Sequence, residues 1–200
     1  MSKYDPQVHH RRSIRLKGYD YASPGAYFVT ICVRQGECVL GKIVDGQMGL
    51  SDFGRIAAES WQWLAEQYPH VTLDAWVVMP NHLHGIIVIN DDPPCRGGSQ
   101  GRGGSQGRGG SQGRGGSRTA PTRHKPLGRL IGVFKTVSTK RINQMRDTPG
   151  EPFWQRNYYE HIIRTPTAHE RIRQYIATNP ARWTDDQLHP DAPPNPFNRG

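Results

Sequence analysis

Apolar and β-branched residues fill AYFVTICV, residues 26–33, and predict a buried strand. The segment ECVLGKIVDGQMGLS is expected to supply its hairpin partner, with Asp45-Gly46 as the turn. Ser51 then precedes Ile56, Ala57, Trp61 and Leu64 at helical spacing, which predicts a helix capped by Ser51 and ending near Tyr68-Pro69. VTLDAWVVM and HLHGIIVI are two strand-like runs around Pro80-Asn81, a pair suited to a tight reversal, so they read as an antiparallel hairpin. In PLGRLIGVFKTVSTKRINQM, Leu127, Leu130, Ile131, Phe134, Val137 and Ile142 alternate with Arg129, Lys135, Lys140 and Arg141, the pattern of an amphipathic helix with a basic polar face. Tyr158 to Ile163 reads as a last strand, and Thr167 with Glu170 gives a capping-box signature for a helix running to Asn179-Pro180.

Strand, helix, strand, strand, helix, strand, with one more helix, predicts an α+β fold: a ferredoxin-like, split βαβ antiparallel sheet with helices on one face and an additional C-terminal helix. Not all of the 200 residues can join it, because only 34% are hydrophobic while Gly numbers 23 and Pro 16. The expected divisions are a basic arm over 1–20, a domain over 21–183 interrupted by a linker over 92–125, and a disordered Pro-rich tail over 184–200. Within the interruption, residues 96–117 spell RGGSQG three times and then RGGS, with no apolar side chain to bury, so a flexible linker is expected.

The net charge of +9 favours a polyanionic partner, nucleic acid before anionic membrane. Neither a signal-peptide pattern nor a run of about 20 apolar residues is present, and a soluble, cytoplasmic protein with no membrane partner is expected. Cys32, Cys38 and Cys95 lack the spacing of a disulfide framework or a zinc-thiolate site.

The chemistry begins at His82 and His84. In a strand, side chains at i and i+2 share a face about 6.6 Å apart, so both imidazoles can reach one metal ion while Leu83 packs on the opposite face. By itself the pair also reads as two polar face positions. Tyr175 and Asn179 stand four apart on a helical stripe with Ile172 and Ile176, which can dock the helix and leave the hydroxyl and amide aimed at the histidines. Asn179 before Pro180 is equally an ordinary helix stop. Tyr158 and Tyr159 point to opposite faces of their strand, so at most one shares a site with the histidines. Arg12, Arg15, Lys17, Lys135, Lys140, Arg141, Arg156 and Arg164 are the candidate DNA contacts.

Taken in order, MPNHLHGI, WQRNYYEHIIR and YIATNP give a signature that resembles the REP-associated tyrosine transposases, within the wider class of single-tyrosine transposases carrying a His-hydrophobe-His motif. The likeness runs over nearly the whole chain except the repeat and the tail. It implies that His82 and His84 hold Mg²⁺ or Mn²⁺ with Asn179 as third ligand, a position where other branches of the class carry glutamine. It further implies that Tyr175 attacks a phosphodiester of single-stranded DNA, forming a 5′-phosphotyrosine and releasing a 3′-hydroxyl. The implied partner is a hairpin, a REP-like palindrome flanked by a guide sequence, bound by a monomer or homodimer. The alternative is a chain that has lost catalysis and binds or regulates at DNA hairpins. An RNA-recognition module of the same fold would need an RNP-type strand, which LKGYDYASPGAYFV does not provide.

Overall fold

The computed structural model describes residue 16, residues 18–91 and residues 125–193. Its elements are β1 (Gly25–Cys32), β2 (Gly41–Val44), β3 (Gln47–Leu50), α1 (Asp52–Gln67), β4 (Val71–Val78), β5 (His82–Ile89), α2 (Leu127–Arg146), β6 (Tyr159–Ile163) and α3 (Pro166–Thr178). The arm residues 1–15, the RGGSQG repeat, Cys95 and the end of the tail lie outside the described residues.

Four strands form one antiparallel sheet in the order β4-β5-β1-β6, the split βαβ arrangement expected from the pattern. Alternation along each strand gives the sheet two different faces. Tyr27, Val29, Ile31, Leu83, Ile87 and Ile89 point into a core closed by α1 and α2 through Trp61, Leu64, Leu130 and Phe134. Phe28, Ile86 and Ile163 point the other way and meet Ile176 of α3, with Ile172 packed alongside. The two isoleucines therefore dock the last helix on the face that carries the histidines.

The register is held by close packing at Gly85. A methyl group there would sit 2.5 Å from Cζ2 of Trp61, so glycine is what lets the indole lie against β5. Ser51 caps α1 as expected, its Oγ accepting the Gly54 N–H at 3.1 Å.

Two local expectations are corrected. The 41–50 segment does form a hairpin, with Asp45 and Gly46 at φ 50° and 73°, but β2 and β3 pair only with each other. Both edges of β1 are already taken by β5 and β6, and residues 33–40 instead wrap the β4–β5 turn, where Val33 and Leu40 donate to the carbonyls of Asn81 and Pro80. The cap of α3 is Thr165 and not Thr167, because Pro166 occupies the first helical position, where its missing N–H costs nothing.

A bulge between Leu73 and Trp76 interrupts the β4–β5 register. There Asp74 accepts from His169 at 2.5 Å and from Arg173 at 2.9 Å, tying the first half of α3 to β4. After α3 a 3₁₀ segment, Pro180–Asp185, is followed by Asp186, which accepts from Asn179, and Leu188, whose carbonyl accepts from Asn81. No helix among the described residues is long and apolar enough to cross a membrane.

Candidate active site

β5 opens at His82, and its pairing sets His82 opposite Cys32 and His84 opposite Thr30 of β1. Both imidazoles are buried, at 0% and 3% exposure. Each has its Nδ1 held by a neighbour. Asn81 donates its amide to the Gly36 and Leu188 carbonyls, which leaves its Oδ1 to accept Nδ1–H of His82 at 2.7 Å. The Nε2 of His82 therefore carries a lone pair. Thr30 Oγ1 lies 2.8 Å from Nδ1 of His84, and a hydroxyl serves as donor or acceptor, so His84 can present either tautomer. The two Nε2 atoms face each other at 3.0 Å.

Burial pulls His82 down to about 3, and the same burial together with its neighbour His82 holds His84 well below the ordinary imidazole value. Both rings are neutral at pH 7, the form in which imidazole binds metal.

α3 brings Tyr175 to this pair. Its hydroxyl is 3.1 Å from Nε2 of His84, and its ring is 42% exposed, open to a substrate on one side. Burial and the charge of Asp186 push the hydroxyl up to about 12, against a smaller pull from Asn179 and Arg182. One turn further, Asn179 is 4% exposed and donates Nδ2 to Asp186 Oδ2 at 3.1 Å, while its Oδ1 is buried with no hydrogen-bond partner. Asp186 Oδ2 lies 4.0 Å from Nε2 of His82, and its side chain is 5% exposed.

One donor atom from each of His82, His84 and Asp186 falls within 4.8 Å of the others. Two neutral imidazoles and a carboxylate make a group that could hold a divalent cation. Asp186 was missed by the sequence reading, which placed it in a tail with no core. Its position depends on the 3₁₀ turn after Pro180, and no spacing rule separates it from Asp185 or Asp191.

The candidate DNA contacts divide. Arg156 and Arg164 are exposed at the two ends of β6. Lys135 is spent inside the protein, its ammonium donating to the carbonyls of Gln155 and Asn157 at 2.7 and 2.9 Å and approaching that of Arg156 at 3.5 Å. Arg141 pairs with Glu59 of α1, and Lys140 is exposed on α2, which lies on the sheet face away from the histidines. Arg12, Arg15 and Lys17 lie outside the described residues. Of the paired tyrosines, Tyr159 shares the histidine face, where its ring meets Phe28, and Tyr158 belongs to the opposite core.

A sheet of this order with a His-hydrophobe-His strand and a tyrosine-bearing helix on one face has the fold of a solved transposase. That structure is the REP-associated tyrosine transposase bound to a REP hairpin, which matches 92% of this chain and 74% of its own at a TM-score of 0.51 and 18% identity. The chain itself belongs to one family with a Haemophilus influenzae protein described as uncharacterized, 39% identical over 193 residues that cover 95% of this chain and 99% of that one. No protein-family model matches it.

Proposed function

We propose that the chain is a metal-dependent single-stranded DNA endonuclease and strand transferase, a tyrosine transposase acting at hairpin-containing repeats. The observation that carries this reading is the Tyr175 hydroxyl at 3.1 Å from His84, beside a buried cluster of metal-competent donors. The shared fold with a transposase that binds a REP hairpin supports hairpin DNA as the substrate class.

His82, His84, Asn179 through its free Oδ1, and Asp186 are the residues that would hold Mg²⁺ or Mn²⁺. When bound, such an ion supplies Lewis-acid polarisation of the scissile phosphodiester and neutralises charge on its nonbridging oxygens. Tyr175 is the nucleophile. Its oxygen forms a bond to phosphorus as the bond to the 3′-oxygen breaks, the phenolic proton is lost, and the leaving strand takes up a proton as a 3′-hydroxyl. Phosphodiester energy is kept in the tyrosyl ester, so rejoining to another 3′-hydroxyl needs no nucleotide cofactor.

The electrostatics define what the site must overcome. With its hydroxyl at about 12, Tyr175 is protonated at neutral pH, and the charge of Asp186 is one of the two causes. Asp186 would be a ligand of the cation, whose charge would offset that of the carboxylate beside Tyr175. Thr30 and Asn81 hold the two imidazole rings in orientation through their Nδ1 atoms.

The test is to incubate the full chain with labelled single-stranded hairpin DNA from its own locus and Mg²⁺ or Mn²⁺, and to look for an SDS-resistant adduct. Wild type should form it and Tyr175→Phe should not. An adduct that persists in Tyr175→Phe removes the nucleophile assignment. Hairpin binding without any adduct in wild type favours the binding-only alternative.

A further inference from the structure

Among the described residues, Tyr159 and Tyr175 are the exposed members of the Phe, Tyr and Trp side chains, at 51% and 42%. They stand on the same sheet face, on either side of one residue. Phe28 meets the Tyr159 ring at 6.2 Å between centroids and 68°, and the Tyr175 ring at 6.1 Å and 81°, both edge to face. Phe28 is itself stacked on His84 at 5.4 Å and 29°. The register places Tyr159 opposite Thr30, and Thr30 opposite His84, so Tyr159 lies two strands from the histidines, roughly 10 Å at the usual strand spacing.

The reaction accounts for the exposure of Tyr175, which must reach a phosphate. It does not account for Tyr159, which stands on β6, two strands from the histidines. What Tyr159 offers is an exposed ring packed edge to face against Phe28, with exposed Arg156 and Arg164 in the segments before and after its strand. An open aromatic face is the chemistry that takes an unpaired nucleobase.

We infer that Tyr159 is a base-stacking platform for single-stranded DNA, holding an unpaired base close to the scissile phosphate; this rests on the reading of Tyr175 and the histidines as a DNA-cleaving site. Stacking there tethers the strand on the β6 side of the sheet while the phosphate lies against Tyr175. An unpaired base is required, because a base inside a duplex presents no free face. Phe or Trp keeps the platform and Ala removes it. The tyrosine hydroxyl is dispensable.

The probe is a hairpin oligonucleotide with single-stranded arms carrying 2-aminopurine at one arm position at a time. With the full chain, quenching is expected at one arm position or two adjacent ones in wild type, Tyr159→Phe and Tyr159→Trp, and is lost in Tyr159→Ala. Affinity of Tyr159→Ala for the armed probe should fall roughly 5- to 100-fold, with affinity for the bare hairpin unchanged. Equal quenching and affinity in Tyr159→Ala overturn the platform, as does an equal loss on armed and bare hairpins. Tyr175→Phe should retain the quenching while losing the adduct. Tyr159-dependent quenching without any wild-type adduct upholds the platform and sinks the cleavage reading, and an adduct without such quenching does the reverse.

Discussion

Asp186 places a carboxylate 4.0 Å from His82, beside neutral imidazoles, and accepts from Asn179 Nδ2, while Asn179 Oδ1 stays unpartnered. If these atoms are cation donors, Asp186→Asn should weaken Mn²⁺ binding roughly tenfold or more in calorimetry of the full chain, with little change in its urea midpoint. Unaltered Mn²⁺ affinity would remove Asp186 from the donor set. The contrast with the histidines shows what a sequence discloses at this scale. His82 and His84 share a face by strand period and Tyr175 and Asn179 share one by helix period, but that the two pairs meet was implied by the family resemblance and not by spacing. Asp186 reaches them through the 3₁₀ segment after Pro180, a tertiary event with no periodic trace. The same applies to Tyr159: alternation separates it from Tyr158, but only the contact with Phe28 says which of the two joins the histidines.

Elements are held in register by a few polar ties that a hydrophobic pattern does not reveal. Lys135 was read as part of a basic surface, yet its three carbonyl contacts join α2 to residues 155–157, the approach to β6. Burial pulls Lys135 from 10.5 to about 8, against a smaller upward pull from Cys32. Between those values the unfolded chain holds a proton that the folded chain has released, so the contribution of Lys135 to stability grows as pH rises from about 8 to 10.5. Below about 8 both states hold the proton and the cost of burying the charge is present in full. Urea midpoints of wild type should therefore rise relative to those of Lys135→Met across that window, and a constant difference would contradict the assignment. The apolar pattern disclosed α1, β4, β5 and α2 nearly to their ends. It could not disclose that β2 and β3 stand apart from the main sheet, because β6, the strand that fills the free edge of β1, arrives more than a hundred residues later.

At the scale of the molecule the sheet separates two tasks. One face, closed by α1 and α2, supplies the main core; the other, half covered by α3, carries the histidines, both exposed tyrosines and the tie from Asp74 to α3. The order of elements was legible because each is local, and the use of each face was legible at Leu83, whose burial among α1 and α2 follows from its place between the two histidines. The interrupting segment leaves the domain after Ile89 and returns at Leu127, so it joins β5 at the end away from His82, about 23 Å along the strand. Replacing residues 96–117 with a short linker should leave the thermal midpoint and the rate of adduct formation near wild type; a large loss of either would give the repeat a part in the reaction. That attachment point also bears on how the gene can change. A tract built of identical hexads gains or loses whole units by slippage during replication without shifting the reading frame, and here each such event lengthens or shortens the chain at the end of the sheet farthest from the chemistry. Whole-hexad changes in that tract leave the residues of the candidate site untouched.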